Sequence, residues 1–206
     1  QNDFIYTCIF KMGSPFAAAA EIIGIEFDYR HNGWGEMEGY SCERPEHFIS
    51  RQGEMALQAV RVYQQCIEAH LSRNPGCKTI DIIAFSAGAY LAYILLCLAP
   101  SNAERFRIGS LTLLSARLEE PAMVADKLFL KRQLDAHNTS VFLGWGDLED
   151  GKEAATPFTS ISTAMKKLLP ASKIQTRAYV GQGHTMTPEE LLDVQAFLRT
   201  AWSDQK

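Results

Sequence analysis

Six short runs rich in β-branched and aromatic residues punctuate this chain, and helix-patterned stretches lie between them. The runs are 4–10 (FIYTCIF), 24–29 (GIEFDY), 81–85 (DIIAF, beginning as early as Lys78), 107–114, 139–143 (TSVFL) and 174–180. Strands that alternate with helices pair in parallel, because each return to the same end of a sheet needs a crossover long enough to hold a helix. The expected fold class is α/β: a minimal six-stranded, mostly parallel sheet with helices on both faces. In such sheets ligands bind at the carboxyl ends of the strands.

The intervening segments carry their own signals. Ala56, Val60, Tyr63, Ile67 and Leu71 recur at steps of four and three, which gives one long helix a single apolar face. The segment Ala87–Leu98 is apolar nearly all round, as a helix buried against a sheet should be. Thr187 caps a last helix, Pro188 takes its first position and Glu190 closes a capping box.

With 206 residues and no repeat or linker, the chain reads as a single domain, 1–206. A net charge of −4 offers no basic field for nucleic acid. The five cysteines (Cys8, Cys42, Cys66, Cys77 and Cys97) form no CxxC pair and read as free thiols in a reducing compartment. No zinc-ligand spacing joins the Cys and His residues, so no metal site is expected. There is no signal-peptide pattern, and no apolar run is long enough to span a bilayer. The expectation is a cytoplasmic protein with no integral membrane association and no nucleic-acid partner; oligomeric state is left open.

Three strand ends carry chemistry. The third run leads into Ala84-Phe85-Ser86-Ala87-Gly88 and then a helix. A serine on a tight strand-to-helix turn needs small flanking residues, and the turn lifts its hydroxyl above the sheet at a helix N-terminus. The plainer reading is a helix cap. After the last run comes Gly181-Gln182-Gly183-His184, a histidine on a loop that can reach over the sheet. After the fifth run comes Gly144-Trp145-Gly146-Asp147. Asp147 is the expected acid that orients His184 through Nδ1, with Glu149 and Asp150 close enough to substitute. Ser86, Asp147 and His184 thus follow the chain order nucleophile, acid, base.

With these residues in place, the sequence resembles the α/β-hydrolase superfamily. The stretch from Gly183 to Glu190 (GHTMTPEE), running on to Asp193 and Phe197, looks like the end of the phospholipase/carboxylesterase family. Ser86-Ala87-Gly88-Ala89 and the apolar helix behind it are similar to the small fungal-type serine hydrolases. The resemblance implies a cofactor-free esterase or thioesterase acting on a small-molecule acyl substrate. It also implies a sheet lacking the superfamily's first two strands, ordered second, first, third and then outward. Family members usually carry His-Gly after the first strand, where this chain has Phe10-Lys11-Met12-Gly13-Ser14. By position the oxyanion hole takes its main-chain donors from Met12 and Ala87.

Trp34, in the Gly-rich stretch 31–40 with its aromatics and Met37, Trp145 and Lys11 are candidate pocket residues, and His31 stands at the pocket rim. Two other readings stay beside the esterase. One keeps the same three residues for a C–C or lactone hydrolase or an acyl-transferring cyclase. The other is a catalytically silent hydrolase fold that binds a partner.

Overall fold

The computed structural model describes residues 51–98, 106–116, 127–149 and 158–203. The first two expected strands lie outside the described residues, as do Lys11, Met12, His31 and Trp34. The described strands are β1 (Thr79–Phe85), β2 (Arg107–Leu114), β3 (Ser140–Gly146) and β4 (Ile174–Tyr179). They form one sheet in the order β1-β2-β3-β4, and every neighbouring pair is parallel. Helices α1 (Arg51–Arg73), α2 (Ala87–Leu98), α3 (Lys127–His137), α4 (Phe158–Leu168) and α5 (Pro188–Ser203) complete the described fold.

Alternation along the strands sorts side chains to two faces. Ile82 and Ala84 of β1, Leu111 and Leu113 of β2, and Val141, Leu143 and Trp145 of β3 belong to one cluster. That cluster takes in Val60, Ile67 and Leu71 of α1, Leu91, Leu95 and Leu96 of α2, Leu134 of α3, and Phe158 and Met165 of α4. From Val60 to Leu71 the stripe legible in α1 is thus its buried face. On the opposite face Ile83, Phe85, Leu114 and Phe142 meet Val194, Phe197, Leu198 and Ala201 of α5. The two middle strands are buried almost throughout, as strands covered on both faces must be.

Two polar ties align α5 with the sheet. Asp81 accepts a hydrogen bond from Ser110 Oγ at 2.6 Å and another from Trp202 Nε1 at 2.7 Å, which joins β1, β2 and the end of α5. At the other end Thr187 caps α5, accepting from the Glu190 N–H at 3.3 Å. This cap fixes where the preceding loop must leave the sheet, and that loop carries His184.

Candidate active site

Ser86 falls between β1 and α2 with φ of 55°, a left-handed conformation that an L-residue adopts only under constraint. The constraint is visible. The Ser86 N–H donates to Leu114 O at 2.8 Å, and Ser86 O accepts from the Ala89 N–H at 3.0 Å. The turn is therefore tied to the end of β2 and runs directly into α2. Ser115, just after β2, repeats the device with φ of 47° and an N–H donated to Gly144 O at 2.8 Å.

The loop after β4 begins at Gly181, whose φ of 74° suits glycine. It brings His184 back over the sheet. Nε2 lies 2.8 Å from Ser86 Oγ, and the ring rests against Phe85 with centroids 5.0 Å apart. On its other side, Nδ1 lies 2.6 Å from Glu149 Oε2. Glu149 ends a single 3-10 turn, Asp147–Glu149, that follows β3. Its side chain is only 8% exposed. Oε1 accepts from Ser115 Oγ at 2.7 Å and from the Gly146 N–H at 3.0 Å. The carboxylate is therefore fixed from behind and presents one free oxygen to the histidine.

Residues from four consecutive strand ends thus converge: Ser86, Ser115, Glu149 and His184. The structure brings Ser86 and His184 together, but it places Glu149 and not Asp147 against Nδ1. Asp147 does not face His184; its Oδ1 accepts from the Gly181 N–H at 2.7 Å and so holds the start of the histidine loop. Glu149, the nearby stand-in, occupies the position against Nδ1. Trp145 also differs from its expected place. It is 5% exposed and stacks on Phe158 at 6.0 Å within the larger core, so it is no pocket wall. Ala87 opens α2, where a main-chain N–H has no intrahelical acceptor. Ser115 escaped the sequence reading, although a small polar residue directly after a strand-like run was its signal.

Two electrostatic features surround the site. Glu190, fully buried on the first turn of α5, has its carboxyl pushed up to about 7. Burial is the main cause, the Glu149 and Asp193 charges add to it, and hydrogen bonds from Gln182 and the Thr187 main chain oppose it. Burial and Asp193 likewise raise the Tyr179 hydroxyl, which donates to Asp193 at 2.9 Å. Among the described residues no group of three potential ligands could hold a metal ion, and no helix is long and apolar enough to cross a membrane.

A parallel sheet with a strained serine after one strand, a carboxylate after another and a loop histidine after the last has the α/β-hydrolase fold. Solved structures agree with this assignment. SOBER1 from Arabidopsis thaliana superposes with a TM-score of 0.55 at 17% identity, over 72% of this chain and 65% of SOBER1. TT1662 from Thermus thermophilus gives a TM-score of 0.53 at 19% identity, over 78% of this chain and 69% of TT1662. The chain thus spans just under two thirds of the length of SOBER1. No protein-family model and no curated protein matches the sequence.

Proposed function

We propose that this chain is a serine hydrolase that cleaves a carboxylic ester or thioester through an acyl-enzyme on Ser86. The observation that carries the reading is the continuous relay from Ser86 Oγ to His184 Nε2 and from His184 Nδ1 to Glu149. A helix cap has no need of a histidine at 2.8 Å, and a surface histidine has no need of a buried carboxylate behind it.

In this mechanism Ser86 Oγ attacks the acyl carbon while its proton passes to His184 Nε2. Glu149 holds the ring by Nδ1–H and stabilises the imidazolium. The tetrahedral oxyanion is met by the Ala87 N–H, with Met12 as the proposed second donor. His184 then gives its proton to the departing alkoxide or thiolate. Water repeats the route: it loses a proton to Nε2, attacks the acyl carbon and releases the carboxylic acid and Ser86. Lys11 and Trp34 remain the proposed pocket residues. Asp147 is not part of the relay but steadies the loop that bears the base.

Intact-protein mass after treatment with a fluorophosphonate tests this directly, since only an activated serine reacts. Wild type should gain one adduct and Ser86→Ala none, with kcat on an aryl ester falling by about a millionfold in the variant. An unlabelled wild type would sink the proposal.

A further inference from the structure

Glu190 stands on the first turn of α5, where its main-chain N–H donates to the capping Thr187 Oγ1 at 3.3 Å. Its side chain is wholly buried, and a buried carboxylate without partners is costly. Oε2 accepts from Gln182 Nε2 at 3.0 Å. Oε1 has no hydrogen-bond partner among the described residues, and it faces the main chain of Gly144, where an added Cβ would stand 2.7 Å away.

Gln182 is what Glu190 holds. Its Nε2 also donates to Thr185 O at 2.7 Å, and its Oε1 accepts from Thr187 Oγ1 at 2.9 Å. Its main-chain carbonyl accepts from the Leu148 N–H at 3.1 Å, inside the turn that ends in Glu149. One residue therefore braces the loop on the far side of His184 and ties that loop to the acid's turn.

We propose that Glu190 is a positioning residue that works as a neutral carboxylic acid, fixing Gln182 and through it the loop that holds His184 between Ser86 and Glu149. This rests on the hydrolase reading for its kinetic readout. Ionised, Glu190 would place a second buried carboxylate near Glu149 with one oxygen unsatisfied, and the loop would have to open to admit water. The other charged groups around it are Asp193 one turn on along α5, with Arg177 of β4 paired to Asp193 at 3.0 Å and the Tyr179 hydroxyl turned the same way. None of them offers Oε1 a partner. Because burial pushes the carboxyl up to about 7, the ionisation falls within the range of ordinary assays.

The test is kcat against pH on an aryl ester for wild type and E190Q, beside fluorophosphonate labelling and a carbon-13 NMR titration of the Glu190 carboxyl. Wild-type kcat should decline on the alkaline side, approaching about tenfold per pH unit once Glu190 ionises. E190Q cannot ionise and should lack that decline, with KM little changed, whereas Glu190→Ala should lose kcat at every pH. A residue that only caps the helix would lower stability in E190Q and leave the profile's shape alone. E190Q declining in parallel with wild type overturns the proposal. Should E190Q not fold, the titration of wild type decides: a proton retained well above the ordinary glutamate range supports it, and a carboxyl already ionised at about pH 6 overturns it. Wild type that neither labels nor hydrolyses would strike the hydrolase reading, and the titration would still judge Glu190.

Discussion

Exchanging the two acids of the turn after β3 separates the structure's assignment from the sequence's. In Glu149→Gln the donors from Ser115 Oγ and the Gly146 N–H, at 2.7 and 3.0 Å, demand an acceptor and will select the amide oxygen. The amide NH2 is then forced toward His184 Nδ1, which now lies 2.6 Å from a carboxylate oxygen. Facing a donor, Nδ1 must be the unprotonated nitrogen, so Nε2 carries the hydrogen and cannot take the proton of Ser86. A histidine locked in the wrong tautomer costs about four orders of magnitude in kcat, or about 5 kcal/mol in the barrier. Asp147→Asn keeps its acceptor oxygen for the Gly181 N–H, a contact of 2.7 Å, so it should stay within about tenfold of wild type, or about 1.4 kcal/mol. The assay is kcat/KM on an aryl ester for both variants, with thermal unfolding as the control, since neither change opens a cavity. The reasoning is refuted if Asp147→Asn suffers the large loss and Glu149→Gln does not.

Two further expectations concern stability. A Cβ on Gly146 would press on the main-chain carbonyl of Gln182 and come within 2.8 Å of Gly183 O, so Gly146→Ala should displace the histidine loop. Overpacking of this kind costs about 1–3 kcal/mol, a fall of several degrees in Tm, and an unchanged Tm and kcat would show that the loop does not pack there. Glu190 should make stability pH-dependent. Its carboxyl rises from 4.5 to about 7 on folding, so the native state keeps a proton that the unfolded chain has released. The contribution of Glu190 is then fully present below 4.5, is lost as pH rises toward 7 and levels off above, by about 3 kcal/mol in all. Urea midpoints for wild type and E190Q should converge in acid and separate toward neutral pH; parallel curves would count against it.

Much of the described fold was legible because its strands are short runs that carry β-branched and aromatic residues and lie between helix-patterned segments. The run 107–114 coincides with β2, and 174–180 exceeds β4 by one residue. The helix Ala87–Leu98 was visible from its composition alone. The fifth run shows where local signals fail. TSVFL suggests a strand ending at Leu143, with the glycines beyond it as loop. The strand in fact continues to Gly146, because Gly144, Trp145 and Gly146 pair with Arg177, Ala178 and Tyr179 of β4. The glycines are there for close approach: Glu190 Oε1 crowds Gly144, and the loop from Gln182 crowds Gly146. No single-sequence pattern distinguishes a glycine that breaks a strand from one that lets another segment press against it.

That three-residue extension also explains why Glu149 and not Asp147 meets His184 Nδ1. With a strand ending at Leu143, Asp147 looks like the polar residue best placed to face the sheet's upper edge. With the strand running to Gly146, Asp147 becomes the first residue of a 3-10 turn that has about three residues per revolution, so residues 147 and 149 point in different directions. Only one of the two can reach over β3 toward Nδ1. The choice is made by donors that no motif encodes: Ser115 after β2 and the Gly146 N–H both aim at Glu149 Oε1, while the left-handed Gly181 aims its N–H at Asp147. Serine and histidine each have one candidate at the end of their strand, so their chain positions suffice to find them. The carboxylate facing Nδ1 has two candidates two residues apart, and what selects between them is hydrogen bonding from the end of β3 itself and from the ends of β2 and β4.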